Sequence, residues 1–249
     1  MRHTYKLTVA YDGANYHGWQ EQQGYPSIYG ALAETFQATF NVPCRLFGAS
    51  RTDAGVHALG QVVRLQTDLE IDSYRLMDAW NNRLPEAMVI RDIQQVDASF
   101  HPCHNVKQKT YWYHVFTERP VPFFVRYGWY VRLPLNKKKL HDALQVFIGE
   151  HDFRSFISTG EDYESTVKTI DSIEIEQLDA VQGYRIIVKG HSFLHHMVRR
   201  LVGAAVHVAT HEHLSTDDIH RALAEKDPNQ ILPNAPAQGL MLHSIVYEE

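Results

Sequence analysis

The sequence predicts an α+β fold with a mostly antiparallel sheet, and three observations support this. Short stretches alternate apolar and polar residues, as half-buried strands do. These stretches are joined through turns containing glycine as often as through helices, which is typical of antiparallel pairing. Apolar residues make up 44% of the 249 residues, which indicates a globular chain with a substantial core.

The first strand is predicted over residues 3–11, where every second residue from Tyr5 to Val9 is apolar. Two later strands, residues 166–178 and 184–189, are expected to form a hairpin around Gln182 and Gly183. The remaining predicted strands cover residues 42–47, 62–67, 87–96, 109–117, 127–133 and 240–247.

Five helices are predicted from apolar residues at steps of three or four and from polar capping residues. Ser27 and Ser73 are expected to cap the first two, and Ser215 with Asp218 forms a capping box for the last. The polar run 158–164 is expected to be a mobile flap. The predicted helices cover residues 27–40, 73–83, 138–148, 195–209 and 215–225.

Composition favours a cytoplasmic protein. Two cysteines, Cys44 and Cys103, argue against a disulfide framework and fit a reducing compartment. The N-terminus leads directly into a predicted strand, and we expect neither a signal segment nor a membrane span.

Charge is unevenly distributed along the chain. The net charge is −5, but residues 107–139 carry +7, which leaves −12 for the rest. The same segment holds nine aromatic residues. Cations interleaved with flat rings suit RNA phosphates and unstacked bases. We expect most of these rings to be buried in strands and one or two to be functional.

Residues 48–58 read GASRTDAGVHA and lie between two predicted strands. Their glycines predict a tight turn. Their single carboxylate, Asp53, is flanked by Arg51 and His57. Nearby positive charge favours an ionised carboxylate, which can act as a nucleophile or base. By itself, the pattern is more typical of a simple turn in which the aspartate bonds its own backbone.

Residues 51–58, RTDAGVHA, resemble the signature of the tRNA pseudouridine synthase A family. The resemblance implies two similar α/β subdomains that share a mostly antiparallel central sheet, with helices packed on it and a cleft between the halves. Residues 1–105 would carry the catalytic aspartate loop, and residues 106–249 the active-site tyrosine, an arginine and the basic, aromatic segment. Further segments that resemble this family in order are residues 11–20, 109–113, 193–199 and 235–240.

The resemblance also implies roles for individual residues. Asp53 would be the catalytic residue and Arg199 its ion-pair partner. Tyr111 would stack on the uracil, with its hydroxyl near C5. Arg51, two residues before the aspartate and on the same face if the segment is strand-like, would fill the gap left by a flipped base or contact a phosphate. His57 is expected to orient the loop or contact RNA.

The implied reaction converts uridine to pseudouridine at positions 38, 39 and 40 of the tRNA anticodon arm. It involves no redox change or external group, so we expect no cofactor. We also expect no metal, although His207, His211 and His213 have metal-like spacing, because no Cys ligand or HExxH motif accompanies them. The implied partners are tRNA and a second copy of the chain. The two copies would form a homodimer that holds one tRNA across both subunits.

One segment departs from the family pattern. Residues 100–103 read FHPC, whereas the family tends to have FHAR, so the arginine is missing. His104 and Lys107 are candidates to replace any phosphate contact that this arginine made.

Two alternative functions remain open at the level of sequence. A retaining glycosidase-like hydrolase would need a second carboxylate about 5 Å from Asp53. The signature offers Arg51 and His57 instead, which counts against it. A non-catalytic RNA-binding module would show no effect of Asp53→Asn.

Overall fold

A computed structural model describes residues 2–158, 163–230 and 232–248. Within these residues it contains five helices and ten strands, mostly paired antiparallel, which confirms the predicted fold class. The helices are α1 (Ile28–Phe40), α2 (Ser73–Asn81), α3 (Lys137–Gln145), α4 (Met197–Thr210) and α5 (Thr216–Glu225). The strands are β1 (His3–Tyr11), β2 (Cys44–Gly48), β3 (His57–Thr67), β4 (Met88–Gln95), β5 (Val106–Phe116), β6 (Trp129–Tyr130), β7 (Gly149–Asp152), β8 (Val167–Leu178), β9 (Gly183–Gly190) and β10 (Leu240–Tyr247).

The chain forms two compact units, Met1–Lys107 with Met241–Glu249, and Gln108–Leu240. The terminal strand thus belongs mainly to the first unit, whereas the sequence-based division at residue 105 assigns it to the second half. The catalytic roles assigned to the two halves, the shared central sheet and the cleft stay predictions.

In the first unit, β1 pairs antiparallel with β3 and β4, β2 pairs antiparallel with β3, and β10 lies parallel to β3. Leu7 of β1 faces Val63 of β3 in register, and both are fully buried. Helix α1 contacts β2, α2 contacts β4, and the two helices touch each other. Phe36 and Trp80 meet edge to face at 4.9 Å, and the Trp80 indole donates to the Thr35 hydroxyl at 3.0 Å. Apolar packing therefore fixes the helices beside the strands that flank residues 48–58.

In the second unit, β9 lies between β5 and β8, β7 pairs with β8, and all these pairs are antiparallel. The short strand β6 is parallel to β5. Tyr113 of β5 faces Ile186 of β9 in register, and both are fully buried. Helix α4 packs on α3, with Leu201 and Leu144 also fully buried. The core thus fixes the positions of β5 and α4, which carry two of the predicted site residues.

Two predicted helix caps are confirmed and one is wrong. Ser27 caps α1, and Ser215 with Asp218 forms the capping box of α5. Ser73 does not cap α2; Asp72 does, because its carboxylate accepts the first unpaired backbone N–H groups of the helix. Ser73 is instead the first residue of the helix.

Several element boundaries also differ from prediction. Strand β3 begins at His57, so the end of the signature is already paired, whereas the prediction placed its start at residue 62. Strand β7 was not predicted, because its four residues are mostly polar and do not alternate. Strand β6 has only two residues in place of the predicted 127–133. Residues 159–162 of the predicted flap lie outside the described residues.

No helix in the described part of the chain combines the length and apolar character needed to cross a bilayer.

Candidate active site

The predicted catalytic residue, Asp53, lies in an irregular loop between β2 and β3, and its side chain is partly exposed. Its carbonyl oxygen accepts a hydrogen bond from the Val56 N–H at 3.1 Å, which closes a turn just before β3. Gly55 has φ +79° in this turn, a left-handed conformation that glycine adopts at little cost. The turn therefore fixes the backbone that presents the carboxylate.

A second segment, residues 12–19, holds this loop; we call it the N-terminal brace. The Trp19 N–H donates to the Thr52 carbonyl at 3.0 Å, and the Gly55 N–H donates to the Tyr16 carbonyl at 3.1 Å. These two backbone bonds lie on either side of the predicted catalytic residue. The carboxylate is thus presented from a loop that is anchored before and after it, which limits its backbone motion.

Buried polar side chains fix the start of the loop. Gln61, which is fully buried, donates to the Ser50 carbonyl at 2.6 Å and accepts from the Ser50 N–H at 3.2 Å. The hydroxyls of Tyr11 and Thr52 lie 2.8 Å apart and share a hydrogen bond. Because a buried polar group without a partner is costly, these bonds strongly favour one conformation of the loop.

His57 is buried against the N-terminal brace, with a side-chain exposure of 2%. Its Nδ1 lies 3.1 Å from the Gly13 N–H and 3.1 Å from an Asp12 carboxylate oxygen. A neutral ring accepts from Gly13, and a protonated ring donates to Asp12. In either state the ring ties residues 12 and 13 to the end of the signature. The burial of the ring favours the orienting role over direct contact with RNA.

Gly13→Ala tests how closely the N-terminal brace must approach the loop. A Cβ on residue 13 would come within 1.9 Å of the Val56 carbonyl oxygen, so one backbone segment must move. We expect thermal denaturation to show a loss of about 1–3 kcal/mol in the free energy of unfolding.

The matched control is Gly30→Ala on helix α1, where a Cβ would meet only the Ser27 hydroxyl at 3.0 Å. We expect that variant to change stability by less than about 1 kcal/mol, since alanine also favours the helix. Equal stability of Gly13→Ala and wild type would show that the brace adapts and does not hold the loop.

Arg51 is exposed and lies in the irregular stretch before Asp53. Because this stretch is not a strand, the strand alternation that placed Arg51 and Asp53 on one face does not apply. The exposed position is compatible with contact to a base or a phosphate, and the role of Arg51 stays a prediction.

Residues 100–103, where the expected arginine is missing, lie beside the start of the loop at residues 48–58. The Cys103 sulfur is 3.7 Å from the carbonyl oxygens of both Gly48 and Ala49. The rings of His101 and His104 stack at 4.2 Å. Burial is the main cause that lowers the pKa of His101, and the charge of the neighbouring His104 lowers it further. Position 103 therefore contributes a thiol here in place of a cation.

Tyr111 lies on β5 of the second unit, opposite Val188 of β9. It is 6% exposed, and its ring meets that of Phe193 edge to face at 5.1 Å. Packing therefore accounts for the position of the ring. The role of its hydroxyl stays a prediction.

Arg199 lies in the first turns of α4 and is held by the segment that follows α5. Its Nε donates to the Ala235 carbonyl at 2.9 Å, and the Ala235 N–H donates to the Arg199 carbonyl at 3.1 Å. Ala235 is fully buried. This reciprocal pair fixes the base of the guanidinium group and so restricts its rotamers.

Tyr113 holds the same segment and was not identified from the sequence. Its hydroxyl donates to the Pro236 carbonyl at 2.8 Å. Burial raises the pKa of Tyr113 well above its usual value, against the opposing charge of Arg199, so the hydroxyl keeps its proton. A Cβ on Gly239 would lie 2.4 Å from the Tyr113 ring, which explains the glycine there. Tyr113 thus supports Arg199 indirectly, through residues 235–239.

Arg200, the residue after Arg199, is half-buried rather than exposed to solvent. Among the described residues its Nε is buried and has no hydrogen-bond partner. Burial, together with the charge of Arg199, holds the pKa of Arg200 below its usual value. Two adjacent guanidinium groups, one of them partly desolvated, suit an anionic ligand such as a phosphate.

Two histidines before α4, which were not predicted as site residues, also lie near Arg199 in sequence. The rings of His195 and His196 stack at 4.0 Å. The His195 N–H donates to the Tyr163 hydroxyl at 3.1 Å, and the Ser158 hydroxyl bonds Nδ1 of His196. The described ends of the predicted flap therefore contact the start of α4. Adjacent histidines alone are too common a signal to have marked this cluster.

Comparison with known proteins agrees with the motifs. A family model described as tRNA pseudouridine synthase matches residues 143–248. The tRNA pseudouridine synthase A of Pseudothermotoga lettingae is 37% identical over 239 residues, covering 95% of this chain and 96% of that protein. The enzyme of the same name from Thermoanaerobacter sp. is 34% identical, with coverages of 97% and 98%. The tRNA pseudouridine synthase A 2 of Bacillus cereus is 35% identical, with coverages of 98% and 100%. The chain therefore belongs to the tRNA pseudouridine synthase A family.

Proposed function

We propose that this protein converts uridine to pseudouridine at positions 38, 39 and 40 of the tRNA anticodon arm, with Asp53 as the catalytic residue. As a member of its family it is an enzyme, a tRNA pseudouridine synthase. The observation that carries the assignment of Asp53 is its loop. The single carboxylate of the signature lies between two backbone bonds to the N-terminal brace, as a preorganised catalytic group requires.

The reaction breaks the bond between C1′ of the ribose and N1 of uracil. The base rotates, a bond forms between C1′ and C5, the C5 proton leaves to a base and then to water, and N1 gains a proton. Product and substrate have the same composition and there is no net redox change, so no redox cofactor is required. The protein must supply a nucleophile or base, a group near C5, and a site that accepts an extruded base.

The predicted site residues fit these requirements. Asp53 acts on the ribose or the base as nucleophile or base. Tyr111 stacks on the uracil and brings its hydroxyl to C5. Arg199, anchored by Ala235, supplies the positive charge that keeps the carboxylate ionised. Arg51 fills the gap left by the flipped base or contacts a phosphate.

The proposal includes a homodimer that holds one tRNA across both subunits in the cytoplasm. The basic, aromatic segment 107–139 supports the homodimer. Each copy of the segment carries a charge of +7 in an otherwise acidic protein, and a dimer would align two copies along a phosphate backbone. Sedimentation with and without tRNA would measure the state, and a monomer that binds one tRNA would contradict this part.

A tritium-release assay tests the function. The protein is incubated with tRNA carrying tritium at C5 of uracil, and label in water is counted. Pseudouridine formation releases the label. Free uracil would indicate a glycosidase-like hydrolase, and retained label with tight binding would indicate a non-catalytic RNA-binding module.

Tyr111→Phe separates stacking from chemistry at this position. The ring and its contact with Phe193 remain, so we expect tRNA affinity within about twofold of wild type. If the hydroxyl transfers a proton, turnover should fall by about a hundredfold or more. Full turnover in tritium release would restrict Tyr111 to stacking.

A further inference from the structure

The second unit contains a pocket of about 330 Å³ that the proposed chemistry does not use. One wall is formed by residues 129–133, and the other by the last turns of α4 with Pro233. The lining residues on α4 are Val206, His207, Thr210 and His211. His207 lies eight residues beyond Arg199, about 12 Å along the helix axis. The pocket is therefore a separate feature from Arg199 and Tyr111.

The pocket lining combines flat rings with one guanidinium group and contains no carboxylate. Trp129 and Tyr130 are half-buried, and Arg132 is exposed at the same wall. The opposite wall contributes the imidazoles of His207 and His211. Rings of this kind stack on nucleobases, and the N–H groups of guanidinium and imidazole can donate to phosphate oxygens. These rings also belong to the basic, aromatic segment from which one or two functional residues were expected.

The histidines here are not arranged as metal ligands. Among the described residues, His207, His211 and His213 do not bring three ligand nitrogens together at metal-binding spacing. Nδ1 of His211 lies 2.9 Å from the His207 carbonyl oxygen. Burial, followed by the charges of His211 and His213, lowers the pKa of His207. An anionic group bound in the pocket would raise the pKa of His207 and so oppose the effects of burial and of the neighbouring histidines.

A lysine of α3 also lies close to the pocket. Lys139 donates to the carbonyls of His211, Glu212 and Leu214, at 3.2 Å each, and so places its charge just after the C-terminal end of α4. The N–H of Asn136, the cap of α3, donates to the Ala209 carbonyl at 3.0 Å. These bonds hold the basic start of α3 beside the pocket, where its charge attracts phosphates.

We propose that this pocket binds one nucleotide of the RNA substrate away from the reacting uridine. The base lies against one ring of the wall at residues 129–130, and its phosphate contacts Arg132 and His207. The inference rests on the proposed function to the extent that the RNA is tRNA. The pocket would anchor the body of the tRNA and increase its affinity, and it would take no part in the reaction.

The test measures equilibrium binding of full-length tRNA at several salt concentrations. The double variant Arg132→Ala/His207→Gln should weaken binding by about tenfold and lower the slope of log Kd against log salt by about one. The control is Arg221→Ala, which also removes one positive charge from the second unit. Its side chain pairs with Asp218 and lies outside both segment 107–139 and the pocket lining, so we expect less than a twofold effect.

The measurement is made with Asp53→Ala as background, so that it does not depend on turnover. Unchanged affinity and salt slope in the double variant would overturn the proposal. So would a change in sedimentation mass with no change in RNA affinity, because the pocket would then bind a second copy of the chain. Loss of affinity without pseudouridine formation by the wild type would support the pocket while contradicting the proposed function.

Discussion

Asp53→Ala is expected to abolish tritium release from tRNA labelled at C5 of uracil, with a loss of at least about a thousandfold. The sequence GASRTDAGVHA offers no second carboxylate that could replace it. Because the loop is held through its backbone and through Thr52, Ser50 and Gln61, the variant should keep its fold. Binding of tRNA should stay within a few-fold of wild type.

Glu34→Ala provides the control for Asp53→Ala, because it removes one exposed carboxylate from α1 of the same unit. It should release tritium at the wild-type rate. If Asp53→Ala also released tritium at that rate, Asp53 would not be the catalytic residue. Release at the wild-type rate by Asp53→Asn would likewise remove Asp53 from the reaction, whereas no release even by the wild type, with tRNA still bound, would favour the non-catalytic alternative.

Arg199→Ala is expected to have the second largest effect, a loss of about a hundredfold or more in kcat for tritium release. The side chain is fixed at Nε by the Ala235 carbonyl, so the charged end of the group is held in one orientation. Arg199→Lys should recover little activity, since an ammonium group cannot reproduce the planar, multidentate donor.

The control for Arg199→Ala is Arg221→Ala on α5, an exposed arginine that pairs with Asp218 at 3.3 Å. Circular dichroism checks that both variants are folded. A kcat for Arg199→Ala within threefold of the control would remove Arg199 from the reaction and leave it a role in binding at most.

The elements that could be predicted from the sequence are those determined by residues close together in the chain. Ser27 and the box of Ser215 with Asp218 were identifiable because capping needs only residues within one turn. Strand β1 was identifiable because it alternates with a buried face. Strand β7 was not, because its pairing with β8, rather than any pattern of its own, makes it a strand.

The same distinction applies to the candidate site. The signature marks Asp53 because its residues are consecutive. The bond from Tyr113 to Pro236 joins residues 123 positions apart, and that from Gly13 to His57 joins residues 44 apart. No local pattern reveals such contacts, so the supports of the loop and of Arg199 emerged only from the folded chain.

The most direct test of the central claim uses two tRNAs that differ only at positions 38 to 40, with uridines in one and cytidines in the other. Pseudouridine is mapped by carbodiimide modification and reverse transcription after incubation with wild type or Asp53→Ala. We predict pseudouridine at those positions in the first tRNA with the wild-type protein, and none in the other three combinations. Pseudouridine formed by Asp53→Ala, or formed by the wild type only at positions outside 38 to 40, would contradict the account.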